Sequence, residues 1–168
     1  MEKIYTSFYA CPLGNLRISS SNNCITEVHF MERDEDNGMN ILSSENLPAV
    51  LEQCIEELNE YFHGDRKHFD VPVCQQGTPF QHSVWNELMN IPFGKTISYL
   101  TLAKRLGDPK AIRAAASTNG KNSIAIIVPC HRVIGSNNDL VGYAGGLWRK
   151  KWLLDLETKV TYGVQTLF

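Results

Sequence analysis

Thr101-Leu102-Ala103-Lys104-Arg105-Leu106-Gly107-Asp108-Pro109-Lys110-Ala111-Ile112-Arg113-Ala114-Ala115-Ala116-Ser117-Thr118 sets the fold of this chain. A first helix, Thr101 to Leu106, stops at Gly107, a residue suited to a helix end. Asp108 then offers a capping carboxylate and Pro109 a first-turn proline for a second helix, Lys110 to Thr118. Two helices across a glycine-containing turn form the helix-turn-helix pattern. The second helix carries Ala111, Ala114, Ala115, Ala116 and Ser117, and such small side chains let it approach a surface closely. That surface is either a packed neighbouring helix or a nucleic acid. Arg113 is the long polar side chain beyond Lys110.

Working outward, Val71 to Gly77 reads as a linker, and Thr78 caps a helix that begins at Pro79. Phe80, Val84 and Leu88 are its expected inward stripe, with Ile91-Pro92 as the stop. Gly94 opens a turn into a short strand, Thr96 to Tyr99. Upstream, Ile4 to Phe8, Leu16 to Ser20 and Ile25 to Phe30 read as three strands. Asp34 to Gly38 reads as a solvated acidic loop. Pro48 to His63 is a helix with Leu51, Cys54, Ile55, Leu58 and Phe62 inward and Glu52, Glu56, Glu57 and Glu60 outward. A last helix starts near Gly146 and runs to about Glu157. Trp148, Trp152 and Leu156 form its expected buried stripe, and Arg149-Lys150-Lys151 face out as phosphate contacts or as solvated charge. The whole is α+β, with expected domains 1–76 and 77–168.

Charge divides the chain the same way. Residues 1–78 hold 5 Lys/Arg against 13 Asp/Glu, and residues 79–168 hold 11 against 5. The first part thus carries −8 and the second +6, so the second half is the one suited to a polyanion. The 43% hydrophobic and 20% charged residues describe an ordinary globular protein. No apolar run approaches the ~20 residues that span a bilayer, and Met1 to Tyr5 lack a secretion signal's apolar core, so the expected address is cytoplasmic. Cysteines stand at 11, 24, 54, 74 and 130, an odd number without a Cys-x-x-Cys pair. That spacing argues against a disulfide framework and against a structural zinc site.

The chemistry concentrates in Pro129-Cys130-His131-Arg132-Val133, behind the apolar run Ile124 to Val128. That run reads as a buried strand, which Pro129 ends, leaving Cys130 at the strand exit. A thiol beside an imidazole is a candidate nucleophile, because thiolate is the reactive form and a nearby base enlarges its fraction. The alternative is a small buried cysteine at a strand end.

From Gly77 to Glu157 the chain resembles the O6-alkylguanine-DNA alkyltransferase family, also called methylated-DNA–protein-cysteine methyltransferases. The resemblance is carried in register by Gly77-Thr78-Pro79-Phe80-Gln81, Val84-Trp85, Ile91-Pro92-Phe93-Gly94, Ser98-Tyr99, Pro109 to Ala114, Asn122, the Pro-Cys-His-Arg-Val segment and Tyr143-Ala144-Gly145-Gly146-Leu147. It implies a small ribonuclease H-like α/β domain, a three-stranded sheet plus helix, before a mostly helical, winged-helix-like DNA-binding domain.

The resemblance also implies direct reversal of DNA damage. An alkyl group on guanine O6 lies inside the duplex stack, so the nucleotide must be rotated out. Cys130 then attacks the alkyl carbon and the guanine leaves, once per molecule; O4-alkylthymine is an expected second lesion. His131 is the implied base, through a bridging water, and Glu157 orients it. Tyr99 is implied as donor to the base's N3, and Asn122 orders the preceding turn. The carbonyls of Cys130 and Val133 take the guanine amino group, the Ala144 amide reaches O6, Tyr143 walls the pocket and Gly145 lies beside it. Arg113 fills the space left by the extruded base, while Lys110, Ala111, Ala114 and Ser117 face the minor groove. The implied partner is duplex DNA containing alkylated bases, met by a monomer with no membrane contact, no cofactor and no metal. Some relatives carry zinc on the N-terminal domain, but the corresponding positions here hold Ser21 and Thr26. Ala144 and Ser123 depart from the family's usual Ser and Pro. Two rivals remain: a lesion-binding protein without chemistry, against which Cys130 speaks, and a cysteine hydrolase built on Cys130, His131 and Glu157. The hydrolase leaves Arg113, the helix-turn-helix and the charge division unexplained.

Overall fold

Period-two alternation builds the first sheet: Leu16 and Ile18 are wholly buried, and their neighbour Arg17 is half-buried. In the computed structural model, which describes residues 2–32 and 46–163, β1 (Tyr5–Cys11), β2 (Gly14–Ser20) and β3 (Ile25–Phe30) form one antiparallel sheet in the order β1-β2-β3. Tyr9 stands opposite Leu16, and Ile18 opposite Val28. The β1–β2 turn closes at Gly14, whose φ of 108° suits a residue without Cβ. The acidic loop expected at Asp34 to Gly38 lies outside the described residues.

Helix α1 (Ala49–Phe62) packs on this sheet, with Leu51, Cys54 and Leu58 wholly buried as the stripe predicts. Burial pushes the Cys54 thiol up to about 12. Glu57 departs from its expected outward place. It is 3% exposed, and its Oε1 accepts the backbone N–H groups of Asp70 at 2.8 Å and Val71 at 3.1 Å. Those amides have no strand partner, so a carboxylate satisfies them instead.

Two further findings correct the reading of this half. Cys24 and Cys74 are joined in a disulfide, their Cα atoms 5.9 Å apart, where the spacing of cysteines argued against one. The folded chain brings them together because Val73 bridges Ile25 at the β3 edge, with Ile25 N–H donating to Pro72 O and Cys74 N–H to Ile25 O. Ile124, expected in a strand with its successors, makes only a single bridge, to Val28. Its neighbours Ile126, Ile127 and Val128 are buried in turns, and Ile126 adopts φ 71°. Burial alone produced the apolar run; strand geometry was not needed.

The chain divides into two compact units, Met1–Gln75 with Ser123–Ala125, and Gln76–Asn122 with Ile126–Phe168. In the second, α2 (Pro79–Leu88) opens with a full capping box between Thr78 and Gln81. Val84, Trp85 and Leu88 are buried, whereas Phe80, expected inward, is 39% exposed at the open first turn. Gly77 is required by close approach, since a Cβ there would lie 2.8 Å from the Trp85 ring.

Next come β4 (Ile97–Ser98) and α3 (Tyr99–Arg105), capped by Ser98 Oγ accepting the Thr101 N–H. Gly107 takes φ 88°, Asp108 caps the Lys110 N–H, and a 3₁₀ turn, Pro109–Ala111, leads into α4 (Ile112–Gly120). The helix-turn-helix is therefore present as α3 and α4. β5 (Val133–Ile134) pairs in parallel with β4, and α5 (Leu147–Tyr162) ends the unit. No helix among the described residues is long and apolar enough to cross a membrane.

Candidate active site

Cys130 does not sit at a strand exit. A 3₁₀ turn, Cys130–Arg132, follows Pro129 and feeds β5. It is held by Cys130 N–H to Val128 O at 2.8 Å, Arg132 N–H to Pro129 O at 3.0 Å, and Val133 N–H to Cys130 O. Residues 130, 131 and 132 are all buried, so the strand rule that sends neighbours to opposite faces does not apply here.

Asn122 does more than order the turn. Its Nδ2 donates to Val128 O at 2.8 Å and also lies 3.3 Å from Cys130 Sγ. Burial pushes the Cys130 thiol up, while the Asn122 donor and the Lys150 charge pull it back.

His131 is wholly buried, and its Nε2 is 2.6 Å from Glu157 Oε2. Burial raises the Glu157 carboxyl, but His131 and Arg132 outweigh it and hold the group well below the usual carboxylate range. An ionised Glu157 fixes the imidazole proton on Nε2, leaving the lone pair on Nδ1. That Nδ1 is buried, with no hydrogen-bond partner among the described residues. Burial also holds His131 below its ordinary value against the pull of Glu157, so the ring is neutral at pH 7.

Arg132 escaped the sequence reading. Its Nε donates to Glu157 Oε1 at 2.8 Å, Nη2 to Oε2 at 3.1 Å and Nη1 to Ile91 O at 2.8 Å. Gly94 N–H adds a donor to Oε1 at 3.1 Å. The available signal was the position itself: an arginine beside a buried Cys-His pair needs a carboxylate in the same interior.

The start of α5 is rotated from its expected face. Arg149 is 6% and Lys150 0% exposed, while Trp148, expected inward, is 57% exposed. Lys150 Nζ donates to Val141 O at 3.0 Å and Gly142 O at 3.2 Å, and Arg149 Nη1 to Gly145 O at 2.9 Å. These carbonyls belong to no helix or strand, so long cations turned inward to satisfy them and the tryptophan turned out over Arg149, 4.7 Å away. Lys151 alone meets the outward expectation, pairing with exposed Asp155. Burial lowers Lys150 to about 8, against the raising effect of Cys130.

Tyr99 opens α3, and its hydroxyl donates to the same Val141 carbonyl at 3.0 Å. Burial and the nearby Cys130 raise its phenol. Val133 and Gly145 are buried, Tyr143 is half-buried with its hydroxyl enclosed, and Ala144 is exposed. Burial raises the Tyr143 phenol well above its ordinary value. On α4, Arg113, Ala114 and Ser117 are exposed with Lys110 just before them and Ala111 half-buried, whereas Ala115, Thr118 and Asn119 face the interior. The small residues are therefore split, Ala115 packed inward and Ala114 and Ser117 exposed. No cluster of metal-binding side chains occurs among the described residues.

The chain is similar to known proteins. Residues 79–159 match the family model for the 6-O-methylguanine DNA methyltransferase DNA-binding domain, and residues 4–75 match its ribonuclease-like domain. A methylated-DNA–protein-cysteine methyltransferase of Methanosarcina acetivorans is 42% identical over 92% of this chain and 98% of its own. The constitutive enzyme of that name in Bacillus subtilis is 41% identical over 90% of this chain and 93% of its own. A crystal structure of Mycobacterium tuberculosis OGT in complex with DNA superposes with a TM-score of 0.82 at 38% identity, covering 92% of this chain and 93% of that one. With matches to both family models and this coverage, the chain belongs to the 6-O-methylguanine DNA methyltransferase family.

Proposed function

We propose that this protein repairs alkylated DNA by moving the alkyl group of O6-alkylguanine, and of O4-alkylthymine, onto Cys130, once per molecule and as a monomer. The observation that carries the reading is the pairing, on one 3₁₀ turn, of Cys130, whose Sγ takes the Asn122 donor, with a buried His131 braced by Glu157, itself held by Arg132. The names of the relatives, methylated-DNA–protein-cysteine methyltransferase, support the same substrate class.

In this reading the exposed face of α4, with Arg113, Ala114 and Ser117, enters the minor groove, and Arg113 replaces the rotated nucleotide in the stack. The Cys130 proton passes through a water to His131 Nδ1, the ring nitrogen that carries the lone pair. The imidazolium so formed is stabilised by the ionised Glu157. The sulfur forms a bond to the alkyl carbon as the carbon–O6 bond breaks, and that electron pair moves into the guanine ring. Tyr99 donates to N3 as the charge develops there, an assistance typically worth ~10²–10⁴ in rate. The Val133 carbonyl, the Ala144 amide, Tyr143 and Gly145 line the base. The product is a thioether, which has no easy route back to thiol.

Incubation with duplex DNA containing O6-methylguanine is expected to add a single methyl to the peptide holding Cys130, read by intact-protein and peptide mass spectrometry. Cys130→Ser is expected to bind the lesion and transfer nothing. Repeated turnover, or methylation at Cys11 or Cys54, contradicts the proposal.

A further inference from the structure

We propose that Gln75 is a positioning residue for the reactive sulfur: by accepting both donors of Ser123 it fixes the backbone from which the Asn122 amide reaches Cys130. This deepens the function proposed above and rests on it. Gln75 Oε1 accepts the Ser123 N–H at 3.0 Å and the Ser123 hydroxyl at 3.1 Å. A carbonyl oxygen has two lone pairs, so one atom holds both donors. The hydroxyl's other neighbour, Thr26 O, is farther away at 3.4 Å. On its opposite side the Ser123 carbonyl accepts the Val28 N–H at 2.9 Å.

These bonds reach Asn122 through a single rigid unit. The peptide plane that contains the Ser123 N–H also contains the Asn122 Cα, so orienting the one places the other. Support from the preceding side is weak. Helix α4 ends at Gly120, and the Asn122 N–H reaches back to Asn119 O at 3.4 Å, longer than an ordinary amide hydrogen bond. Yet the Asn122 side chain is closely aimed, with Nδ2 2.8 Å from Val128 O and 3.3 Å from Cys130 Sγ.

Gln75 is itself held. Its neighbour Cys74 donates its N–H to Ile25 O at 2.8 Å and is bonded to Cys24, and Gln75 and Ser123 lie in the same compact unit. Serine stands here in place of the family's usual proline, which has a fixed φ but no N–H to offer. The Gln75 contacts supply the stiffness that the ring would have given. The Asn122 donor favours thiolate over thiol at Cys130, so loosening residue 122 raises the thiol while leaving the base pocket untouched.

The test measures the pH midpoint of iodoacetamide labelling at Cys130, without DNA, for the wild type, Gln75→Leu, Asn122→Ala and the double variant. Gln75→Leu is expected to move the midpoint upward. It should also slow transfer from O6-methylguanine duplex at pH 7 by up to about tenfold, the worth of one hydrogen bond. In the Asn122→Ala background the same substitution should shift the midpoint no further, because Gln75 acts through that amide. A Gln75→Leu midpoint equal to wild type, whatever happens to its unfolding free energy, marks a structural role and overturns the inference. So does an additional rise in the double variant. Ser123→Ala, at an exposed position, removes the hydroxyl alone and should shift the midpoint the same way by less. It decides the matter if Gln75→Leu does not fold, and no shift there overturns the inference. A wild type that takes up no methyl overturns the function itself, whereas the DNA-free labelling decides the Gln75 contact separately.

Discussion

Donors from His131, Arg132 and Gly94 converge on the buried Glu157 carboxylate. Glu157→Gln leaves the Arg132 guanidinium buried without its counter-charge. The expected loss is about 3–5 kcal/mol of unfolding free energy, read by urea titration, with slower alkylation of Cys130 in whatever remains folded. Lys150 acts on the sulfur through its field. Its ammonium lowers the Cys130 thiol, so Lys150→Met is expected to raise the pH midpoint of iodoacetamide labelling at Cys130. An unchanged midpoint would confine Lys150 to holding the Val141 and Gly142 carbonyls. At this scale Cys130, His131, Glu157 and Tyr99 could be singled out in the sequence, through resemblance and through the chemistry of thiol and imidazole. Arg132 offered only its position beside the Cys-His pair as a signal, and Lys150 none, because its worth lies in carbonyls that only the folded chain brings to it.

Helix α4 turns Ala115, Thr118 and Asn119 inward and leaves Arg113 exposed. Arg113→Ala should slow transfer from duplex substrate while sparing single-stranded substrate, compared as single-turnover rates. A variant slowed equally on both would place Arg113 outside base rotation. On α2, Thr78→Ala removes the hydroxyl that accepts the Gln81 N–H, while its own N–H can still donate to Gln81 Oε1, and should cost about 1 kcal/mol, measured by denaturant titration. Two capping signals were legible: Thr78-Pro79 and Asp108-Pro109 each start a helix, whereas the Ser98 cap was missed, because Thr96 to Tyr99 reads as a strand and the helix begins at Tyr99 rather than Thr101. Helix α5 shows why periodicity alone misleads. Trp148, Trp152 and Leu156 make an apolar stripe, yet the first turn follows the unpaired loop carbonyls, which draw Arg149 and Lys150 inward. The run Ile124 to Val128 failed similarly, since hydrophobic burial fixes no backbone conformation.

For the molecule as a whole, pH and redox state act on different units. Native His131 stays neutral where an unfolded imidazole takes up a proton, so the unfolded state binds more protons below about pH 6.5. Stability is therefore expected to fall as pH drops through that value, and His131→Gln should flatten this limb of the unfolding curve. Glu157 behaves otherwise: its native carboxyl is depressed, so its contribution is complete above about 4.5 and is lost only as pH falls through the lower native value. In the first unit, Cys24–Cys74 closes a separation of 50 residues, which in the chain-entropy account is worth roughly 4 kcal/mol. Dithiothreitol should destabilise the wild type by about that amount and leave Cys24→Ser unaffected. Sequence spacing hid this pair because bonding depends on proximity in space.

Ser123–Ala125 has a consequence for anyone dissecting the protein. These residues take their backbone partners from Val28 and a side-chain partner from Gln75, although much of the second unit's chain precedes them. Neither half is thus a continuous length of polypeptide. A fragment begun at residue 76 carries Ile124 away from the strand that shelters it, baring an apolar edge that invites clumping. Excision by a single cut would leave each piece incomplete, and mixing the two fragments should restore solubility that neither has alone.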